Sequence, residues 1–356
     1  MFIYLLVILL IIIFRVQLSH LPEGALRQKR EKEYLRIICW TLVGLATLRG
    51  STVGTDTLGY IQDYATLPSS SFIEIVKAKS EYPIFYILFK TCSILHLPVQ
   101  IPFFFVSGIF LLSIYVFIDR FSKDKLLSIL CFLTIGLYSF SLAGLKQTLS
   151  FAFVIFFYLA IKDKKLLLAL LFAILAYYSH HASMIFLFGL FLYSARKWNF
   201  YYLFLGVLVA FSLLGTNFIW SRLIALLNSD HYSELYLKDE GYSITTMIFY
   251  GVLLLLLLIF SGKYRRMKIE ESRIIIGMST LAFTFQAFAL VSSAAFRLSY
   301  YFIPYLLVGL PNSFNYIENA GIKRPIKLIV AFIVVFFFVY SNRNGGSVVP
   351  YKFFWQ

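Results

Sequence analysis

Apolar residues in this chain fall in long runs that short polar segments separate. The runs lie at 2–18, 34–49, 82–97, 99–118, 126–143, 146–161, 165–178, 181–195, 199–217, 244–262, 272–292, 298–311 and 326–341. A membrane-crossing α-helix needs about 20 apolar residues, so the pattern predicts an all-α, polytopic integral membrane protein with about 11–13 membrane-embedded helices in one domain over 1–356. Several runs are shorter than a full crossing. We therefore expect some short or re-entrant helices, which a membrane tolerates only where protein or a polar cavity surrounds them.

Lysine and arginine concentrate in short segments between the runs, which indicates the cytoplasmic side. The strongest of these segments is 27–36, which is predicted to be a loop; the others are 119–125, 162–165, 196–197, 263–268 and 323–327. The remaining polar segments are then outside, together with both chain ends: loops at about 50–81 and 218–243, turns near 143–146 and 179–181, and a tail at about 342–356. An odd number of crossings must separate 81 from 119. The short run 82–97 is therefore expected to dip in from the outer face or to lie on the surface as a tilted helix.

Composition agrees with a membrane setting. The chain is 60% hydrophobic and 14% charged, with a mean hydropathy of +0.81, whereas a soluble domain carries about a quarter charged residues. A net charge of +15 would suggest a nucleic acid partner in a soluble protein. Here the excess follows from the basic cytoplasmic segments, so no nucleic acid partner is predicted. Three cysteines without a CxxC pair, and no metal-ligand spacing, give no support for a disulfide framework or a metal site.

Charged and polar residues beside the apolar runs collect on the predicted outer side. They are Arg49, Asp56, Tyr60, Glu81, Lys146, Gln147, His180, His181 and Arg297. A charge costs roughly 2.5–3.5 kcal/mol at the centre of a membrane helix, so such residues are usually paired or functional. Arginine and lysine bind phosphate oxygens, and carboxylate or imidazole groups take protons from hydroxyls. The set therefore suits a reaction in which a hydroxyl attacks while a phosphate or pyrophosphate leaves.

Each of these residues also has an ordinary structural interpretation. Arg49 and Lys146 are placed where basic side chains anchor helices at the membrane interface. Asp56 lies in a glycine-containing segment where aspartate commonly supports a turn. The histidine pair could serve hydrogen bonding within a tight turn. The functional interpretation consequently depends on the residues acting together.

In chain order, these segments resemble the motifs of the EpsG/Wzy-type family of exopolysaccharide and O-antigen polymerases. The run "LRGSTVGTDTLGYIQDY" resembles the family's R-x-x-x-x-G-T-D-x-x-x-Y signature, and "EYPIFYIL" its glutamate-led segment. "LKQTLSFAF" resembles R-Q-x-(I/L)-A, "HASMIF" resembles H-x-S-A-L and selects His181 over His180, and "FRLSYYFIPYLLVGLP" resembles R-x-x-x-Y-F. The likeness covers about residues 34–311. Two positions depart from the motif, because Lys146 replaces its arginine and Leu149 its alanine, and lysine lacks the guanidinium fork.

The resemblance implies a bacterial inner-membrane polymerase. It would transfer a growing glycan from undecaprenyl pyrophosphate onto a lipid-linked repeat unit at the outer face, without a metal or nucleotide cofactor. Its partners would be the undecaprenyl-pyrophosphate-linked oligosaccharide and membrane lipid, with a chain-length regulator and a flippase as candidate protein partners. The implied catalytic residues are Asp56, Glu81 and His181, with the acting base left open. The implied substrate-binding residues are Arg49, Thr55, Tyr60, Lys146, Gln147, Arg297 and Tyr301.

Other functions remain open on the sequence alone. A flippase or transporter of the same lipid-linked glycan would also need a cationic cavity, although transporters usually show two related halves, and no such duplication is visible here. Another polyprenyl-phosphate glycosyltransferase would be expected to carry an acidic pair in its first outer loop, for which Asp56 and Asp63 are a loose match. A membrane acyltransferase and an O-antigen ligase, which hands the chain to a different acceptor, also remain alternatives.

Overall fold

The structure is a computed structural model that describes residues 1–67, 71–74, 81–215, 222, 244–290 and 293–356. Its regular elements within these residues are helices, and the β-structure found there consists of two isolated bridges, Arg49 with Phe353 and Gly346 with Val349. The predicted fold class is confirmed: the protein is an all-α polytopic membrane protein. The predicted outer loop 218–243 lies outside the described residues except for position 222, as do 68–70 and 75–80 of the loop 50–81.

The chain divides into two compact units, residues 1–184 with 328–356, and residues 185–327. The first unit contains α1 (Phe2–Ser19), α2 (Ala25–Thr47), α3 (Thr57–Thr66), α4 (Pro83–Ile94), α5 (Gln100–Phe121), α6 (Lys125–Thr134), α7 (Leu137–Ala143), α8 (Leu145–Lys162) and α9 (Leu166–Ser179). A 3₁₀ helix (His181–Phe186) follows α9. The single domain predicted over 1–356 stays a prediction.

The second unit holds the later helices. They are α10 (Leu187–Ala195), α11 (Tyr201–Leu214), α12 (Ile244–Phe260), α13 (Gly262–Met267), α14 (Ile269–Phe288), α15 (Ser293–Ser299), α16 (Ile303–Asn315) and the start of α17 (Ala320–Ser341). The helix α14 is buried along most of its length from Ser272 to Phe288. The core of this unit therefore forms around α14, against which α11, α12, α15 and α16 pack.

Among the described residues, α1, α5 and α8 are long and apolar enough to cross a membrane. The helices α6 and α7 qualify together as one broken span, bent by 49°. Gly136 lies at the bend with φ +100°, a conformation that glycine adopts without steric cost. Shorter apolar helices include α4, α9, α11 and α12. The prediction that some membrane elements fall short of a full crossing is therefore confirmed.

The basic segment 27–36, predicted as a loop, is helical. It forms the first turns of α2, which begins at Ala25, so that prediction was wrong. Lysine, arginine, glutamate and leucine are good helix formers, and side chains one turn apart support one another. Arg30 donates a hydrogen bond of 2.9 Å to Glu33 within the segment. Charge patterning indicates a membrane side, which stays a prediction, and it does not indicate whether the backbone is helical.

The run 82–97 contains only a short helix, α4, of 12 residues. Such a helix rises about 18 Å, well short of the roughly 30 Å hydrocarbon layer, so its predicted incompleteness is confirmed. It packs against α3, which precedes it. Lys90 is buried and donates to the Leu67 carbonyl at 2.6 Å, and Tyr64 donates to the Leu97 carbonyl at 2.7 Å. These bonds join the two short helices into a hairpin.

Candidate functional site

The stretch 48–57 is joined to the C-terminal tail of the chain. Three backbone hydrogen bonds connect them: Phe354 N–H to the Leu48 carbonyl at 2.9 Å, Gly50 N–H to the Lys352 carbonyl at 2.8 Å, and Gly54 N–H to the Ser347 carbonyl. Arg49 and Phe353 form an antiparallel bridge between them. The tail at 342–356, predicted to lie outside, therefore pairs with the stretch 48–57.

Two glycines of this stretch allow close backbone contact. Gly54 has φ +94°, and a Cβ at that position would lie 2.3 Å from the Leu142 carbonyl oxygen. At Gly50 a Cβ would lie 2.9 Å from the Phe353 carbonyl oxygen. A larger residue at Gly54 would meet both a disfavoured backbone conformation and a steric clash. These glycines consequently fix how the stretch meets α7 and the tail.

Arg49 is buried beneath this stretch, with 1% of its surface exposed. Its Nη1 donates to the Ala46 carbonyl, its Nε donates to the Thr57 hydroxyl at 3.3 Å, and its Cζ lies 4.3 Å from the centre of the Phe103 ring. Its Nη2 is buried without a hydrogen-bond partner among the described residues. The side chain is therefore held through two of its three nitrogens.

Arg49 takes part in capping the end of α2. The last carbonyls of a helix lack partners within the helix. Two of these carbonyls have side-chain donors: Tyr351 donates to the Leu45 carbonyl at 2.7 Å, and Arg49 donates to the Ala46 carbonyl. One turn earlier, Tyr138 donates to the Leu42 carbonyl at 2.9 Å. The guanidinium is therefore a clamp between α2 and Thr57. Its predicted binding of pyrophosphate stays a prediction, and only Nη2 is left for that role.

Thr55 and Asp56 are exposed at the tip of the same stretch. The Thr55 hydroxyl donates to Asp56 Oδ1 at 3.0 Å. Asp56 is the residue before α3, and its carbonyl accepts the Tyr60 N–H at 3.0 Å. The carboxylate thus lies one helical turn before Tyr60, on the solvent side of a rigid segment.

Four aromatic rings surround the ammonium of Lys146, and we call this group the Lys146 cage. The distances from Lys146 Nζ to the ring centres are 4.7 Å for Tyr82, 4.8 Å for Tyr86, 5.7 Å for Tyr60 and 5.9 Å for Phe85. A cation within about 6 Å of a ring face is attracted by the ring quadrupole. Lys146 is half-buried in the first turn of α8, so the cage holds a cation at a helix start.

The walls of the cage are themselves fixed by polar contacts. The Tyr86 hydroxyl donates to Asp63 Oδ2 at 2.7 Å. The Tyr60 hydroxyl lies close to the backbone N–H groups of Leu145 and Lys146. The cage thereby unites α3, α4 and the start of α8. Tyr82 and Tyr86 were not selected from the sequence, although both lie in the "EYPIFYIL" segment that was.

The two histidines after α9 have different surroundings. The His180 ring lies 5.2 Å from the ring of Tyr82, a cage residue, and its Nδ1 accepts the Ala182 N–H at 3.2 Å. The His181 ring stacks on Tyr177, with centroids 4.5 Å apart. Sequence motifs selected His181, whereas the ring next to the cage is that of His180. The catalytic role of His181 stays a prediction.

The other selected residues fall into two groups. Glu81 is exposed and directly precedes Tyr82, and Gln147 is buried beside Lys146 on α8. Arg297 and Tyr301 belong to the second unit, where Arg297 is half-buried on α15 with its Cζ 5.9 Å from the Phe296 ring centre. The structure therefore brings Tyr60 and Lys146 into contact, with Asp56 and Glu81 each close in sequence to a cage residue. Within the described residues, no group of three or more histidine, cysteine or acidic side chains is arranged to hold a metal ion.

Comparison with known proteins identifies one family. The family model described as the EpsG family matches residues 32–353. This match includes the stretch 48–57, the Lys146 cage and most of the tail that pairs with the stretch. No curated protein and no solved structure matches the chain.

Proposed function

Because the chain belongs to the EpsG family, we propose that it is a polysaccharide polymerase of the bacterial inner membrane. It would transfer a growing glycan from undecaprenyl pyrophosphate onto a lipid-linked repeat unit at the outer face. Family and apolar helices already make it a membrane protein of polysaccharide biosynthesis. The observation that supports a transferase most is the Lys146 cage, since it places a cation and tyrosine rings beside segments that carry exposed carboxylates.

The cage suits both halves of a lipid-linked glycan. A lysine ammonium attracts the oxygens of a phosphate as a point charge. Aromatic faces pack against the apolar faces of sugar rings. Tyr82 is the half-buried ring of the cage and can offer such a face, whereas Tyr60, Phe85 and Tyr86 are buried and support it from below. The cation and the rings are thus at one place, which is where the bond between sugar and pyrophosphate would have to lie.

The proposed step is a substitution at the anomeric carbon of the growing chain. A hydroxyl oxygen of the acceptor sugar forms a bond to that carbon while the bond from carbon to the pyrophosphate oxygen breaks. Undecaprenyl pyrophosphate leaves with the electron pair, and cations stabilise its charge. The hydroxyl proton passes to a general base. Lys146 is the cation that we place closest to the leaving group.

Three residues are candidates for the base, and we rank Asp56 first. Its carboxylate is exposed and is oriented by the Thr55 hydroxyl. Glu81 is second, because it directly precedes the cage residue Tyr82. His181 is third, because its ring stacks on Tyr177 rather than on a cage residue. Replacing Asp56 by Asn should therefore reduce polymerisation more than replacing His181 by Gln.

A polymer-forming host lacking its own copy of the protein provides the test. Lys146→Gln removes the cation with little change in size, Lys146→Arg keeps it, and Lys162→Gln removes the other lysine of α8 as a matched control. We expect glycan ladders to collapse to single repeat units for Lys146→Gln, to be partly kept for Lys146→Arg, and to be normal for Lys162→Gln. Normal ladders for Lys146→Gln at normal protein level would contradict the proposal.

Reconstitution in liposomes distinguishes a polymerase from a flippase or transporter of the same glycan. Purified protein in liposomes is supplied with a lipid-linked repeat unit. Elongated lipid-linked product supports a polymerase, and translocation without elongation supports the transporter. Product on a different acceptor would indicate a ligase or another glycosyltransferase.

A further inference from the structure

A basic pocket lies in the second unit, in a part of the chain that the proposed reaction does not use. Its volume is about 450 Å³, within the usual range for small-ligand sites. The start of α11, α13 and the start of α14 form it, and its lining residues are Tyr202, Gly262, Arg265, Arg266, Ile269 and Arg273. Arg265 and Arg266 belong to the segment 263–268, which is predicted to be cytoplasmic from its charge.

Basic residues outnumber the carboxylates around this pocket, and those carboxylates make their close contacts with other residues. Glu270 pairs with Arg196 at 3.4 Å, and Glu271 accepts a hydrogen bond of 2.9 Å from Tyr264. Glu318 pairs with Lys263. Across the described residues, no ion pair involves any of the three pocket arginines. The pocket is therefore lined by three guanidinium groups that are outside any ion pair of the described residues.

Two of these arginines are oriented before any ligand arrives. The Tyr202 ring centre lies 5.4 Å from Arg265 Cζ and 5.9 Å from Arg273 Cζ. Arg273 Nη1 also donates to the Arg196 carbonyl at 2.6 Å. Preorganised guanidinium groups bind phosphate with less loss of side-chain freedom than flexible ones. The geometry thus favours a compact, doubly contacted anion.

We propose that this pocket binds a phosphate group at the cytoplasmic face. The group would come from the headgroup of an anionic phospholipid in the inner leaflet or from a soluble phosphate-bearing molecule. Basic pockets beside membrane helices on this side commonly take phospholipid headgroups. The exposed apolar side chain of Ile269 lines the pocket, and that of Met267, two residues earlier in the chain, is also exposed, which suits contact with the acyl chains of a lipid. The site would be separate from the proposed glycan reaction.

Native mass spectrometry of the purified full chain tests the proposal. Phosphatidylglycerol and phosphatidylcholine are supplied in equal amounts, and the retained lipid is counted. The pocket variant is Arg265→Gln with Arg266→Gln. The matched control, Lys268→Gln with Arg324→Gln, removes the same charge from exposed positions of the same unit. We expect the wild type and the control to retain phosphatidylglycerol preferentially, with about tenfold weaker binding in the pocket variant.

A second arm distinguishes a soluble source. Glycerol 1-phosphate is added to protein in phosphatidylcholine nanodiscs, and the melting temperature is measured. A rise in the wild type that the pocket variant lacks, without a lipid preference, supports a soluble phosphate ligand. The pocket variant must first show the wild-type melting temperature without ligand, and Arg265→Lys is used if it does not. Equal lipid retention together with no glycerol phosphate shift in any protein would overturn the proposal.

Discussion

Arg49 and Lys146 are two cations of the same unit in opposite settings. Arg49 is buried, and two of its nitrogens donate hydrogen bonds, one to the Ala46 carbonyl at the end of α2 and one to the Thr57 hydroxyl. Lys146 is half-buried among four aromatic rings at the start of a helix. The first arrangement holds the fold together, and the second presents a charge beside exposed segments. We therefore expect the two cations to have different roles, Arg49 in stability and Lys146 in substrate binding.

The comparison gives an experimental rule. Changes at Arg49 and its surroundings should act mainly on stability, and changes at the Lys146 cage should act mainly on activity. Measuring both quantities for each variant separates the two regions.

Arg49→Ala should have the largest effect. It removes a buried clamp and leaves the Ala46 carbonyl at the end of α2 without its side-chain donor, which should lower the free energy of unfolding by about 3 kcal/mol or more. The melting temperature of the purified protein and its level in the membrane measure this. Arg343→Ala, which removes an exposed tail arginine stacked on Tyr340, should change neither. A normal melting temperature with lost glycan ladders would instead indicate that Arg49 acts on substrate.

Gly54→Ala should have the next largest effect. The new Cβ would lie 2.3 Å from the Leu142 carbonyl oxygen, on a backbone with φ +94°. We therefore expect the free energy of unfolding to fall by about 2 kcal/mol or more. Gly59→Ala is the matched control, because a Cβ there meets nothing within 4 Å and alanine favours the helix α3. The two melting temperatures should move in opposite directions. Equal values would mean that the stretch 48–57 does not meet α7 as described.

Tyr82→Ala should have a smaller effect, and that effect should be on activity rather than on stability. It removes one wall of the cage, which is worth about 1 kcal/mol, so polymerisation should fall roughly five- to tenfold while the melting temperature stays nearly unchanged. Tyr82→Phe keeps the ring and should retain most activity. The initial rate of glycan elongation measures both. A matching loss in the two variants would show that the hydroxyl, and not the ring face, is what matters.

The pattern of apolar residues predicts a helix well where one uninterrupted apolar run corresponds to one helix. The bounds of α1, α5 and α8 lie within a few residues of the predicted runs. The segment 27–36 was mistaken for a loop because membrane-side charge patterns and helix propensity are independent properties. The bend at Gly136 was not predicted either, since its apolar run is continuous on both sides.

The candidate site was predictable only in part. Charged residues near apolar runs stand out, so Asp56, Glu81 and Lys146 could be found. Tyr82 and Tyr86 could not, because a chain with 25 tyrosines and 39 phenylalanines gives no signal at any one aromatic position. The pairing of the stretch 48–54 with the tail joins residues about 300 positions apart, which periodicity along the chain does not encode.

The central claim is that the Lys146 cage is where the glycan donor is held. The most direct measurement compares glycan elongation by purified wild type, Lys146→Gln and Lys162→Gln in liposomes, with all three proteins matched for melting temperature. We expect Lys146→Gln to lose glycan elongation and Lys162→Gln to keep the wild-type rate. A wild-type rate for Lys146→Gln would contradict the claim.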